Sequence, residues 1–207
     1  MITVYWSPKS RAVRMFWMLE EVGQPYALQS IDIRNTDPGR DDPPGFVEAS
    51  PLRKVPALAD GDVRVADSAA IAMYLADRYA AGDLAPHLDD PARGEFLTWL
   101  LYTPSALEPA MMEKFAKLPP NPVAYAWGSF DKAIGALETR LAHRQWLAAD
   151  RFTMADLIVS GTVQTMVDFK ILEPSAALRA YVERCYQRPA AVRAREKESA
   201  AAAALTG

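Results

Sequence analysis

Apolar residues fall into two kinds of pattern along this chain. Over residues 1–80, short β-type runs alternate with helical stripes, whereas from residue 92 onward the spacing is helical only. Residues 2–6 are β-branched and aromatic, the composition of a short strand. Ser7-Pro8-Lys9-Ser10 interrupts them. Ala12, Met15, Phe16, Leu19 and Val22 then recur at i, i+3 and i+4, which predicts a helix. Gly23 is its stop signal, and Pro25 bars continuation. Residues 25–33 read as a second strand, completing a β–α–β unit. The Pro- and Gly-rich stretch 34–50 predicts a loop with a short helix near Phe46. Residues 55–59 and 63–65 read as short strands around the hairpin signal Asp60-Gly61. Asp67-Ser68 then looks like a helix cap, with Ile71, Tyr74, Leu75 and Tyr79 on helical spacing. That order builds a small four-stranded mixed sheet.

The pattern divides the chain into an α/β domain over 1–80, a linker over 81–91 marked by Gly82, Pro86 and Pro91, and an all-α domain over 92–207. In the helical part, Phe96, Leu97, Leu100 and Leu101 form one stripe, and Pro104 should kink or break that helix. The helix resumes over 106–118 and stops at Pro119-Pro120-Asn121-Pro122. Ala126, Phe130, Ala133, Leu137 and Leu141 mark the next. Thr153-Met154-Ala155-Asp156 has capping-box form, with Asp in place of Glu or Gln. It opens a helix that Glu173-Pro174 ends, and two more follow near 175–187 and 189–204. The charged run 193–198 reads as an exposed face with i, i+4 pairs.

Composition narrows the function. The 207 residues carry 23 Lys and Arg against 26 Asp and Glu, a net charge of −3. That balance offers no general attraction to phosphate backbones, so a nucleic-acid role is disfavoured. The single cysteine, Cys185, excludes a disulfide framework and a Cys-rich zinc site, and reads as a buried structural residue. His87 and His143, the two histidines, are far apart, so a His-based metal site has little to build on. No run reaches the roughly 18 apolar residues of a membrane span, and residues 1–6 lack the features of a secretory signal. A soluble cytoplasmic protein without a metal is the expectation.

Three short segments carry candidate chemistry, each with a plainer alternative. Ser7-Pro8-Lys9-Ser10 lies between a strand and a helix N-terminus. There, backbone N–H groups and the positive dipole end favour an anion, and a hydroxyl can donate to a bound thiolate. The alternative is that Ser7 or Ser10 only caps the helix. Lys54-Val55-Pro56 puts a proline at the start of a strand. It is either an edge-strand proline or a cis peptide that turns the backbone edge toward a ligand. Asp67-Ser68 offers a carboxylate and a hydroxyl at a helix start, suited to the ammonium and carboxylate of one ligand, or to capping alone.

The order and spacing of these segments resemble the glutathione S-transferase family. Ser50-Pro51-Leu52-Arg53-Lys54-Val55-Pro56-Ala57-Leu58 is similar to that family's Asn-Pro-x-Gly-Lys-Val-Pro-x-Leu. Asp67-Ser68-Ala69-Ala70-Ile71-Ala72-Met73-Tyr74-Leu75 is similar to its Glu-Ser-x-Ala-Ile-x-x-Tyr-Leu. The likeness covers nearly the whole chain. It implies an N-terminal thioredoxin-like domain, an all-helical C-terminal domain, a homodimer, and glutathione as co-substrate.

By the resemblance, Ser7 corresponds to the thiol-activating serine of theta-like and delta-like enzymes. Ser10 stands where their Ser-x-x-Cys-Arg has cysteine, which argues against disulfide exchange. Tyr5 is a third candidate activator. Val55 corresponds to the residue whose backbone pairs with the cysteinyl part of glutathione, and Pro56 to the family's cis-proline. Asp67 and Ser68 correspond to the pair holding the γ-glutamyl end, with Asp67 one methylene shorter than the usual Glu. Lys54 corresponds to a lysine that can meet the glycyl carboxylate, and Arg53 stands where Gly is common. The expected activity is attack by glutathione thiolate on a small apolar electrophile. Tyr102, Met111 and Phe115 are the expected pocket residues; Trp99 and Met166 are read as core. Glutathione-dependent isomerisation or peroxide reduction on the same fold, and a non-catalytic binding or stress-response protein, are the alternatives.

Overall fold

The computed structural model describes residues 1–119 and 121–205, so Pro120 of the expected helix break lies outside the described residues. Two compact units emerge: Met1–Tyr79 with the chain from Arg188 onward, and Ala80–Gln187. The sequence pattern differs, grouping 92–207 together with 81–91 as a linker.

In the first unit, β1 (Ile2–Trp6), β2 (Tyr26–Ser30), β3 (Ala57–Asp60) and β4 (Val63–Ala66) form one sheet in the order β2-β1-β3-β4. β1 runs parallel to β2 and antiparallel to β3, and β4 is antiparallel to β3. β2 is shorter than the sequence suggests, because the chain leaves the ladder after Ser30. α1 (Arg14–Val22) crosses between the parallel strands, preceded by a 3₁₀ turn at Arg11–Val13. It ends at Gly23, whose φ of 66° suits a residue without Cβ and whose N–H donates to the Leu19 carbonyl at 2.9 Å. A four-residue helix α2 (Phe46–Ala49) and α3 (Ser68–Tyr79) complete the α/β layer.

α1 buries more than one stripe: Met15, Phe16, Trp17, Met18 and Leu19 are all buried in sequence. The reason is α9 (Pro189–Ala204), which packs on α1 through Ala190, Ala191 and Ala194. Small side chains there allow close approach. Its charged run reaches across to α1. Arg193 reaches Glu20 of α1 at 3.1 Å, Lys197 also bonds Glu20, and Arg188 forms a two-pronged pair with Glu21 at 2.7 and 2.8 Å. Glu21 also accepts the Trp17 indole N–H at 2.9 Å. Glu21→Ala is therefore expected to lower stability by about 1–3 kcal/mol, as a removed acceptor of charged and indole donors does. Glu20→Ala, whose partners are exposed, should cost under about 1 kcal/mol. Denaturant midpoints of the two variants check this ranking.

In the second unit, α4 (Arg93–Tyr102) passes into a π-helical turn over Thr103–Leu107 and then α5 (Glu108–Phe115). The break expected at Pro104 is thus a widened turn that accommodates a residue without an N–H. α6 (Phe130–Leu141) begins at its Ser129 cap, leaving Ala126 outside. α7 (Met154–Asp168) is buried from Met154 through Val163 and packs against α4 and α8 (Ala176–Tyr186). It ends five residues before Glu173, and Lys170 follows with a φ of 58°.

The supposed linker is built into this unit. Leu84 and Ala85 are buried, Met154 N–H donates to Leu84 O at 2.9 Å, and Arg151 bonds the Gly82 and Asp83 carbonyls. The capping box at the start of α7 is formed. The Asp156 carboxylate accepts the Thr153 N–H at 2.9 Å and its hydroxyl at 3.1 Å. It also accepts the Leu147 N–H at 2.9 Å and the Tyr181 hydroxyl at 3.1 Å.

Candidate functional site

The sheet topology gathers the candidate residues of the first unit at one edge. β1 and β4 end where β3 begins. Carrying the β1–β3 register (Tyr5↔Ala57) two rungs on sets Ser7 opposite Val55. Carrying the β3–β4 register (Ala57↔Ala66) onward sets Asp67 and Ser68 opposite Pro56 and Val55. The segments that carry Ser7, Val55-Pro56 and Asp67-Ser68 therefore all leave the ladder at the same end of the sheet.

The three candidate hydroxyls at the end of β1 differ sharply. Tyr5 is buried in a cluster with Ile31, Phe46, Ala49 and Ala57, and its hydroxyl donates to the Pro44 carbonyl at 2.8 Å. Burial raises its pKa, Glu48 adds to the rise, and Arg64 offsets part of it. The Ser10 hydroxyl donates to the Ser7 carbonyl at 2.7 Å and accepts the Ala12 N–H at 3.1 Å. Ser10 is therefore the cap of the 3₁₀ turn that leads into α1. Ser7 is 6% exposed, and its hydroxyl has no hydrogen-bond partner among the described residues. It alone of the three is uncommitted among the described residues.

The Val55–Pro56 bond is cis. The Val55 side chain packs on the Tyr5 cluster, while its main-chain N–H has no intramolecular partner among the described residues. Lys54 is exposed, and its backbone is pinned by Ser50, whose hydroxyl accepts the Lys54 N–H at 2.9 Å and donates to its carbonyl at 2.7 Å. Asp67 has a φ of 76° and caps α3, with Oδ1 accepting the Ala69 N–H at 2.8 Å. Ser68 is buried at the first position of that helix. Capping and ligand binding therefore remain compatible at Asp67, since its second carboxylate oxygen is not used in the cap.

The expected pocket residues belong to the second unit. Tyr102 is half-buried; its hydroxyl donates to the Ala133 carbonyl of α6 at 3.0 Å, and its ring tilts against Trp99 at 5.1 Å. Burial raises its pKa. Met111 is half-buried and Phe115 is 64% exposed, both on α5. Met166 is fully buried, whereas Trp99 is half-buried. Cys185 is fully buried, and burial pushes its thiol pKa up.

Arg40 and Asp42, unmarked by any sequence pattern, have side chains 9% and 6% exposed and form an ion pair at 2.8 Å. Nothing local marks them, because their other contacts lie as far as residue 53. Among the described residues no three His, Cys, Asp or Glu side chains gather as a metal site, and no helix is long and apolar enough to cross a membrane.

Comparison with known proteins adds to this geometry. Residues 6–78 match the family model for the glutathione S-transferase N-terminal domain, and residues 65–184 match that for the C-terminal domain. Glutathione S-transferase theta-3 of Mus musculus is 30% identical over 86% of this chain and 78% of its own. The disulfide-bond oxidoreductase YfcG of Escherichia coli is 27% identical over 92% of each chain. The structure of a sphingomonad glutathione S-transferase complexed with glutathione is 26% identical and superposes with a TM-score of 0.74, covering 95% of this chain and 98% of that one.

Proposed function

Since the chain belongs to the glutathione S-transferase family, we propose that it binds glutathione across the end of its sheet and activates the thiol for attack on a small apolar electrophile. The observation that carries this reading is a Ser7 hydroxyl and a Val55 amide, at the same end of the sheet, that have no partner among the described residues. The Val55 main chain would pair with the cysteinyl unit, bringing its sulfur toward Ser7. The γ-glutamyl carboxylate would lie at the Ser68 hydroxyl and the N-terminus of α3, where the helix dipole favours an anion. The free oxygen of Asp67 would accept from the γ-glutamyl ammonium, and the Lys54 ammonium would meet the glycyl carboxylate.

The energetics suffice. A free thiol has a pKa of about 8.5. Lowering it to about 6.5 requires roughly 2.7 kcal/mol. One hydrogen bond to a charged group supplies about 1.5–3 kcal/mol, and the nearby helix end about 0.3–1 kcal/mol. Serine acts here as a donor to the thiolate, and the thiol proton goes to solvent. The thiolate then forms the C–S bond, and the electron pair leaves with the displaced group or moves into the electrophile's conjugated system. Tyr102, Met111 and Phe115 are proposed to meet that electrophile, and the active assembly is proposed to be a homodimer. Exchange through a protein disulfide is disfavoured here, because the sole cysteine is the buried Cys185.

The test is a titration of enzyme-bound glutathione by thiolate absorbance. The bound thiol should ionise well below its free value. Binding with an unshifted pKa would instead support a binding or regulatory protein. Tyr5→Phe separates the activators: because the Tyr5 hydroxyl is held by Pro44, the bound thiol pKa should stay within about 0.3 units of wild type, well under the two-unit shift at stake. A return toward the free value would transfer the role to Tyr5.

A further inference from the structure

The chain between β2 and β3 carries three charged side chains that the mechanism above does not use. Asp42, nearly buried, pairs through one oxygen with Arg40 Nε at 2.8 Å, and its other oxygen lies 3.4 Å from Arg53 Nε. Arg40 also donates to the Asn35 carbonyl at 2.5 Å and to the Arg53 carbonyl at 3.4 Å. Arg53 donates to the Pro38 carbonyl at 2.6 Å. One carboxylate and two guanidinium groups thus tie residues 35–42 to the turn over 50–53, which is closed by the Arg53 N–H on the Ser50 carbonyl at 2.8 Å.

Arg53 has a φ of 51°, the left-handed region where glycine is at ease and a side chain is strained. A residue with Cβ is held there by what its side chain grips, here Asp42 and Pro38. The next two residues are Lys54 and Val55. The Arg53–Lys54 peptide is fixed from both sides, by Arg40 on the Arg53 carbonyl and by Ser50 on the Lys54 N–H.

We propose that Arg53, clamped by Asp42 and Arg40, is a positioning residue for glutathione that sets the orientation of the Lys54–Val55 segment on which the tripeptide lies. This inference rests on the glutathione reading of Lys54 and Val55 above. It assigns to three side chains, none of which touches the thiol, the task of presenting the Val55 amide in a fixed direction. A glycine at position 53 would adopt the same φ without strain but would leave the segment untethered.

Arg53→Gly tests the clamp without adding strain. Its dissociation constant for glutathione, measured by calorimetry, is expected to rise about three- to tenfold, the size of one net hydrogen bond. The kcat at saturating glutathione and the pKa of the bound thiol should stay within about twofold and 0.3 units, since neither Ser7 nor the electrophile side is altered. Asp42→Asn should weaken binding in the same direction, and the double variant should be no weaker than the weaker single one, because both break one unit. Arg53→Lys, which keeps the charge facing Asp42, should recover part of the affinity. Wild-type affinity in both Arg53→Gly and Asp42→Asn overturns the inference. A parallel fall in affinity, kcat and thiol acidity overturns it too, as that marks general distortion. Wild-type protein that fails to bind glutathione removes the functional reading itself, and this inference with it.

Discussion

Ser7→Ala is expected to return the thiol of bound glutathione to within about half a unit of its free pKa and to lower kcat about 10- to 100-fold near pH 6.5. The size follows from a lost hydrogen bond to a charged sulfur, about 1.5–3 kcal/mol. Affinity for glutathione should change little, because Val55, Ser68, Asp67 and Lys54 are the residues proposed to hold the tripeptide. The other two candidate hydroxyls are already hydrogen-bonded elsewhere. Ser10 is committed to the cap of the 3₁₀ turn, and Tyr5 to Pro44. Thiolate absorbance against pH, with kcat measured on the same samples, is the check. A shift that survives Ser7→Ala would move activation to Ser10, Tyr5 or the backbone amides of the 7–10 turn.

Asp156→Ala is expected to cost about 3–5 kcal/mol of stability, a large part of what a domain of this size has. Its carboxylate is the common acceptor for the Leu147 and Thr153 amides and the Thr153 and Tyr181 hydroxyls. Truncation leaves four buried donors without an acceptor, each costing about 1–3 kcal/mol before water or relaxation compensates. Thermal or denaturant unfolding reads the loss, and a variant melting with the wild type would refute it.

The same residue gives stability a pH signature. Burial raises the Asp156 pKa to about 6, against the pull of its four donors. The folded protein therefore binds this proton more tightly than the unfolded chain. The stabilisation from that proton is complete below the unfolded carboxyl pKa, near 4, and is lost as pH rises through 6. Asp156→Asn should lack that decline between pH 4 and 6 when unfolding is followed across the range.

What was legible in the sequence was local. Gly23 ends α1, Thr153 and Asp156 open α7, and Asp67 caps α3, because each of these signals closes a hydrogen bond within four residues. The strands were legible as β-branched runs, and their order along the chain foretold a mixed sheet. The motif positions Ser7, Val55-Pro56 and Asp67-Ser68 were legible as candidates, each with capping or edge placement as a rival reading. Pro104 was legible as a disturbance, but not as a π turn, since the choice between kinking and widening depends on what α4 and α5 pack against.

What lay beyond the sequence depends on residues brought together from afar. Which hydroxyl near the end of β1 is uncommitted turns on Pro44, 39 residues from Tyr5. The place of α9 turns on Glu20 and Glu21, more than 160 residues from the arginines and lysine that grip them. An alanine-rich helix has no apolar stripe strong enough to announce its partner. The clamp on Arg53 likewise joins side chains whose spacing carries no period. Helices, strands and caps are written locally, because dihedral preference and short-range hydrogen bonding act within a few residues. Which polar groups are spent and which stay available is settled by the folded chain, because it depends on loop closure bringing distant donors and acceptors within about 3 Å.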